Sequence, residues 1–164
     1  MRAPLRHRSF RLLFLAQCAS FLGDAIFIVA IAFAMLQVTG SATALGTVLA
    51  VGGASLVVAL AVSGVWADRL PRVRIMIAAD AVRFVSQSTL AVLLLTDAAT
   101  FRELLVLNAV YSVATAFFQP ARTAPVPQLL GGDDLLTGTG LMGTAENLMW
   151  AGGWATGGLL VAAI

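Results

Sequence analysis

Residues Gly64–Arg74 read GVWADRLPRVR and place one acid and three arginines between two long apolar runs. Charged side chains are costly in the hydrocarbon of a bilayer, so this segment is predicted to lie at a membrane surface. Pro71 cannot continue a helix without removing a backbone hydrogen bond, and it is predicted to break the chain there. The segment therefore predicts two membrane-spanning helices joined by a short ionic turn.

The composition extends this prediction to the whole chain. Of its 164 residues, 60% are hydrophobic and only 11% are charged, and the mean hydropathy is +0.94. A soluble domain carries about 25% charged residues, so a membrane protein with the lipid bilayer as its main partner is indicated. The net charge of +2 is small and the arginines form no basic face, which argues against a nucleic-acid partner.

A membrane-spanning helix needs about 20 mostly apolar residues, and five segments of the chain are predicted to qualify. The sequence thus predicts an all-α membrane protein with a polar leader, residues 1–11, followed by transmembrane helices over residues 12–164. Ser41 or Thr43 is predicted to cap the second helix. The five spans are about Leu12–Leu36, Ala44–Trp66, Val73–Leu95, Leu104–Phe118 and Leu135–Ile164. Residues Gln119–Asp134 are predicted to be the connection before the fifth.

The arginines predict the orientation of the chain in the membrane. Eight of them lie in the leader, the second connection and the fourth connection, whereas Arg102 is the one arginine of the third connection. Because basic loops stay on the cytoplasmic side, the amino terminus is predicted to be cytoplasmic. The predicted location is the plasma membrane, specifically a bacterial inner membrane.

The ionic turn resembles a motif of a known family. In transporters of the major facilitator superfamily, the loop between the second and third helices reads roughly Gly-x-x-x-Asp-Arg-x-Gly-Arg-Lys/Arg. Four positions of this chain match it: Gly64, Asp68, Arg69 and Arg72. Pro71 replaces the second glycine, Val73 replaces one basic residue, and Arg74 is displaced by one position.

The resemblance implies a twelve-helix bundle, of which this chain would supply the first five helices as an amino-terminal fragment. It implies a secondary transporter, with a proton-coupled exporter of small amphipathic molecules as the expected activity. The remainder of the transporter would then be a partner of this chain. The family's loop is a cytoplasmic latch, so Gly64, Asp68, Arg69, Arg72 and Arg74 are the predicted gating residues. A simple positive-inside anchor is the alternative.

Asp80 and Arg83 are predicted to pair inside the third span. They are three residues apart on one helix, so they share a face. An ion pair within the membrane faces protein or a cavity rather than lipid. The sequence places the pair one to two turns inside the cytoplasmic end. Asp-x-x-Arg near this position resembles the macrolide-efflux and siderophore-export branch of the superfamily, although structural support is the favoured role.

Three further polar residues are predicted to couple protons or to bind substrate. Asp24 is the one acid of the first span, past its midpoint, and Glu146 is the one acid within the fifth span, with Asn147 beside it. A carboxylate removed from water can exchange protons as its surroundings change. A hydrogen-bonded packing role is the alternative for each. Asn108, Tyr111 and Gln87 are expected to form helix-to-helix hydrogen bonds.

The end of the chain carries a packing pattern. Gly153 and Gly157 form a Gly-x-x-x-Gly motif, followed by Gly158, and this spacing allows two membrane helices to approach closely. It partly resembles the glycine-rich motif of exporters in the same family, with Trp154 where proline is usual. Arg122, after the fourth span, is predicted to meet Asp68 or Asp80 at the cytoplasmic face; the alternative is that it only marks the cytoplasmic boundary of the span.

No cofactor is predicted, because the chain has no glycine-rich phosphate loop with which to use ATP. One histidine, His7, and one cysteine, Cys18, offer no metal-ligand set, so no metal is predicted. No hydrolase motif is visible, and the chain is not predicted to be an enzyme. The alternative to transport is a membrane scaffold that oligomerises through its glycine-rich helix faces.

Overall fold

The computed structural model describes residues 4–122 and 125–162, without the side chains of Val65, Ala67, Asp68, Arg69 and Asp133. Within these residues the secondary structure is entirely helical. A short 3-10 helix, Pro4–Arg6, precedes six α-helices. The helices are α1 (Arg8–Thr39), α2 (Ala42–Arg69), α3 (Arg72–Leu95), α4 (Phe101–Arg122), α5 (Pro125–Leu129) and α6 (Asp133–Ala162).

Four stretches of the described chain are long and apolar enough to cross a membrane, which confirms the predicted fold class. They are Arg8–Thr39, Ala42–Gly64, Arg72–Leu95 and Phe101–Leu129. The fifth predicted span forms a helix, α6, of 30 residues or about 45 Å. Its seven glycines and its polar residues lower its hydropathy, so α6 is not among these four helices. Its crossing of the membrane stays a prediction.

The first two connections follow the predicted turn chemistry. Gly40 adopts a positive φ of +60°, and the Ser41 hydroxyl accepts a hydrogen bond from the Ala44 amide at 3.3 Å, which caps α2 as predicted. Between α2 and α3, Leu70 is extended and Pro71 is the residue before the first turn of α3. Pro71 therefore separates the two helices as its missing amide hydrogen requires.

The third connection contains a cap that the sequence analysis did not identify. The Glu103 carboxylate accepts hydrogen bonds at 3.0 Å from both the amide and the hydroxyl of Thr100, and the Glu103 amide donates to that hydroxyl at 3.4 Å. This reciprocal arrangement is a capping box, which fixes the start of α4. The Thr-x-x-Glu spacing was visible in the sequence.

The predicted connection Gln119–Asp134 is wrong in its extent. Helix α4 continues through Pro120 to Arg122, and α5 occupies Pro125–Leu129. Proline is tolerated in membrane helices because neighbouring groups can satisfy the backbone it leaves unbonded, so Pro120 alone was a poor end signal. Gly132, at a φ of +54°, marks the turn before α6.

The described residues divide into two compact units. The first holds the chain up to Val29 and from Pro125 onward, and the second holds Ala30–Arg122. In the first unit, Phe10 is fully buried against Val126 and Leu130, so the predicted leader takes part in the packing. In the second unit, α4 lies between α2 and α3 and packs against both.

Candidate functional site

The ionic turn is only partly described. Arg72 and Arg74 are exposed at the start of α3, whereas the side chains of Asp68 and Arg69 lie outside the described residues. A Cβ built at Gly64 would meet no described heavy atom within 4 Å. The predicted latch stays a prediction, with Arg72 and Arg74 as its described basic residues.

The second unit contains a buried ionic centre at Arg83. Its side chain is 2% exposed, and its Nη1 donates to Asp80 Oδ1 at 3.1 Å, with Asp80 39% exposed. The pair predicted from the i,i+3 spacing is therefore formed. Arg83 lies 11 residues beyond the first residue of α3, Arg72, about 16 Å along the axis, which is deeper than the predicted one to two turns.

Two aromatic rings of α4 complete the surroundings of Arg83. The guanidinium carbon lies 4.4 Å from the centroid of Phe118 and 5.8 Å from that of Tyr111. Both distances fall within the range of cation–π attraction. Phe118 and Tyr111 are seven residues apart, about two turns, and so project from one face of α4. Arg83 thus joins α3 to α4 through its electrostatic contacts with the two rings.

Arg122, predicted to meet Asp68 or Asp80, lies in the last turn of α4 and is half-buried. It comes four residues after Phe118, about one turn away along the helix. The sequence analysis placed Arg122 in the connection after the fourth span, whereas it belongs to the last turn of α4. Its partner stays a prediction, since the side chain of Asp68 is outside the described set.

A second buried polar contact joins α2 to α4. The Asn108 Nδ2 donates to the Val48 carbonyl oxygen at 2.8 Å, across 60 residues of sequence, and Asn108 is 8% exposed. A Cβ at Gly52 would collide with the Asn108 side chain, so glycine at this position allows the amide to lie against α2. The helix-to-helix hydrogen bond predicted for Asn108 is present.

Asp24 lies in the first unit, on the packed face of α1. It is 4% exposed, and the residues one and two turns before it on that face, Phe21 and Gln17, are 5% and 4% exposed. An acid in a membrane helix is expected to face protein, and Asp24 does so. Gln17 was missed by the sequence analysis, although its spacing of seven residues from Asp24 placed it on the same face.

The polar residues of α6 differ from one another in exposure. Glu146 is half-buried, whereas Asn147 is exposed and its Nδ2 donates to the Gly143 carbonyl oxygen at 3.0 Å within the helix. Asn147 is therefore engaged locally by the preceding turn. Glu146 is the better placed of the two for a role inside the protein.

The glycines of α6 lie against α1. A Cβ at Gly153 would collide with Ala25 and would come within 3.0 Å of the Leu22 carbonyl oxygen, and one at Gly157 would come within 3.1 Å of the Val29 Cβ. Gly158 has no described heavy atom within 4 Å of its Cβ position. The first two glycines thus bring α6 close to the segment of α1 that carries Asp24, as close-packed small residues do in membranes.

This membrane fold agrees with the known family that the chain resembles. The model of one family, described as transmembrane secretion effector, matches residues 1–164 of the chain. The chain belongs to this family, within the major facilitator superfamily. No curated protein and no solved structure matches the chain significantly.

This transmembrane secretion effector is a multi-pass membrane protein of a transporter family. The resemblance first indicated by the ionic turn is therefore confirmed at the level of the superfamily, and the family indicates transport or secretion as the function class. No group of three or more potential metal ligands occurs among the described residues.

As a secretion effector, the chain offers two polar centres of different chemistry. One is the arginine–carboxylate–aromatic cluster around Arg83 in the second unit, and the other is the buried carboxylate of Asp24 in the first. The aromatic partners of Arg83 were not predicted, because nothing in the spacing of α3 indicates which face of α4 it meets.

Proposed function

We propose that this chain works in a secondary transporter that exports small amphipathic molecules and draws its energy from protons. The observation that carries this proposal is Asp24, a carboxylate 4% exposed on the packed face of a membrane helix. Membership of the family supplies the transport function. Export as the direction of transport, coupling to protons and the amphipathic class of substrate are the parts of this function that are proposed.

Asp24 is the proposed proton carrier. A charged carboxylate is costly in hydrocarbon, and protonation removes that cost, so the two forms favour different surroundings. A transporter that alternates between inward-open and outward-open states can use this difference, since a proton shifts the balance between the two states. Glu146, half-buried on α6, is the second proposed carrier, with Asn147 beside it as a polar neighbour.

The substrate is proposed to bind near the middle of the membrane, against a second helical bundle. In transporters built from repeated bundles, the site lies at the interface between repeats. An amphipathic substrate suits such a site because the membrane helices of this chain are largely apolar, with few polar groups. Because the proposed site needs both bundles, a transport assay requires the whole gene product.

The ionic turn is proposed to act as the cytoplasmic latch of this transporter. Arg72 and Arg74 are exposed at the start of α3, where they can reach an acidic partner or lipid phosphate. Asp68 and Arg69 are proposed to complete the latch, as the superfamily motif implies. The buried pair of Asp80 and Arg83 is proposed to hold α3 against α4 beneath it. The amino terminus is proposed to be cytoplasmic, in a bacterial inner membrane.

Transport in inverted membrane vesicles tests the proposal. Vesicles that contain the wild-type gene product are expected to accumulate a fluorescent amphipathic substrate when a proton gradient is imposed, and dissipating the gradient should stop it. Asp24→Asn is expected to abolish the response to the gradient, because the amide cannot carry a proton.

Asp97→Asn is the matched control for this experiment. Asp97 lies in the turn after α3 with a φ of +52°, a conformation that asparagine adopts readily. This variant should transport as the wild type does. Full proton dependence in Asp24→Asn would remove Asp24 as the carrier, and the same result in Glu146→Gln would remove Glu146.

A further inference from the structure

A groove runs along one face of the α3–α4 pair in the second unit. The groove has a volume of about 660 Å³, and Leu70 and Pro71 lie at one end of it. Apart from Arg74, the described residues that line it are apolar. Its walls are formed chiefly by Ile75, Ala78 and Val82 of α3 and by Val110, Val113 and Phe117 of α4. Since both helices are of membrane-spanning length and composition, the groove lies within the bilayer.

Among the described side chains, one charged residue, Arg74, lines the groove, and it lies at one end. Arg74 belongs to the first turn of α3 and is exposed, next to Leu70 and Pro71 of the α2–α3 turn. Val82 is eight residues further along α3, which places it about 12 Å deeper. The groove therefore begins with a cation at the membrane surface and continues as an apolar channel into the hydrocarbon.

We infer that this groove binds an anionic phospholipid. The phosphate would pair with the Arg74 guanidinium, which presents several donors to phosphate oxygens, and one acyl chain would lie between α3 and α4. Basic pockets between membrane helices bind the headgroups of anionic lipids in this way. The volume lies within the range of about 300–1,000 Å³ found for small-molecule pockets.

The opposite end of the same helix pair explains why the headgroup lies at Arg74. A second hollow there, of about 590 Å³, is lined by Thr89, Leu93 and Val106 and by both Arg102 and Glu103. Thr89 is seven residues beyond Val82, so it lies on the same face of α3. Because that end carries a carboxylate as well as a guanidinium, its charge is balanced and offers an anion no net attraction. The site depends on the membrane fold alone and not on the proposed proton coupling.

Native mass spectrometry of the purified protein tests this inference. The protein is equilibrated with equal amounts of phosphatidylglycerol and phosphatidylcholine, and the retained lipids are counted. The wild type is expected to retain one phosphatidylglycerol in preference to phosphatidylcholine. Arg74→Gln should lower that preference about tenfold, because the guanidinium attracts the net negative charge of phosphatidylglycerol, which the choline cation cancels in phosphatidylcholine. Arg102→Gln is the control and should leave the preference unchanged.

A second pair of variants tests the acyl-chain part of the site. Ala78→Trp fills the groove and should remove the retained lipid, whereas Val57→Trp, at a position on α2 that is 66% exposed, should not. Unchanged lipid retention in Arg74→Gln or in Ala78→Trp would overturn the inference. A disulfide-linked dimer of Val82→Cys in a Cys18→Ala background would also overturn it, since a second copy would then occupy the groove.

Discussion

Arg83 and Asp24 are both buried ionic groups in membrane helices, but their surroundings differ. Arg83 has its counter-charge one turn away on its own helix, at 3.1 Å, and two rings of α4 against its guanidinium. Asp24 lies on the packed face of α1, where the neighbouring face positions carry an amide and a phenyl ring, Gln17 and Phe21. The first arrangement balances a fixed charge by an ion pair within one helix, whereas the second places an acid on a packed helix face beside an amide and a ring.

We propose that this difference distinguishes a structural ion pair at Arg83 from a proton carrier at Asp24. An arginine keeps its proton under all ordinary conditions, so Arg83 contributes a constant charge that the fold must neutralise. An acid can gain or lose a proton, and its charge can change during a functional cycle. Substitutions at the Arg83 centre should therefore affect stability first, whereas substitution of Asp24 should affect coupling first.

Asp80→Asn is expected to have the largest effect on stability. It removes the counter-charge of Arg83, which is 2% exposed, and leaves a buried guanidinium without its carboxylate. Breaking a buried pair in this way costs about 3 kcal/mol. Unfolding in a denaturing detergent should report the loss, and the double variant Asp80→Asn, Arg83→Met should recover much of it. If Asp80→Asn alone unfolded like the wild type, the stability of Arg83 in its buried position would not depend on Asp80, and the contrast with Asp24 would fail.

Gly153→Val is expected to have the next largest effect, in the other unit. Its added side chain would collide with Ala25, the residue after Asp24, and approach the Leu22 carbonyl oxygen, so α6 must move away from α1. Overpacking of this kind costs about 2 kcal/mol. Gly158→Val is the control, since no described heavy atom lies within 4 Å of its Cβ position. Equal unfolding of the two variants would show that α6 does not pack on α1 through Gly153.

Phe118→Leu is expected to have the smallest effect and sharpens the account of Arg83. The substitution keeps an apolar side chain but removes the ring whose centroid lies 4.4 Å from the guanidinium carbon. The expected loss is about 1 kcal/mol, the usual worth of a cation–π contact. Phe84→Leu, at an α3 position that is 69% exposed, is the matched control. Equal stabilities would mean that the Phe118 ring adds nothing to the contacts of Arg83 with Asp80 and Tyr111.

The sequence predicted the features that depend on hydropathy and local spacing. Four helices of spanning length, the Ser41 cap, the break at Pro71 and the pair of Asp80 with Arg83 all follow from residues within one or two turns of each other. The end of α4 was missed because Pro120 lies inside the helix, where the membrane context tolerates it.

Contacts between distant segments could not be predicted in the same way. The bond from Asn108 to the Val48 carbonyl oxygen spans 60 residues, and sequence spacing does not indicate which carbonyl on α2 the amide reaches. The same holds for the rings of Phe118 and Tyr111 at Arg83. A single sequence gives the order of polar residues along a helix, whereas the partner of each depends on how two helices are rotated about their axes.

The cation–π contact has a mechanical consequence. Because Arg83 belongs to α3 and its two rings belong to α4, sliding these helices apart would leave a guanidinium facing hydrocarbon with part of its neutralisation lost. The two helices are therefore expected to move together as one rigid unit. Because the Asn108 side chain also bonds α4 to α2, a change of shape in this part of the protein is expected to move α2, α3 and α4 together.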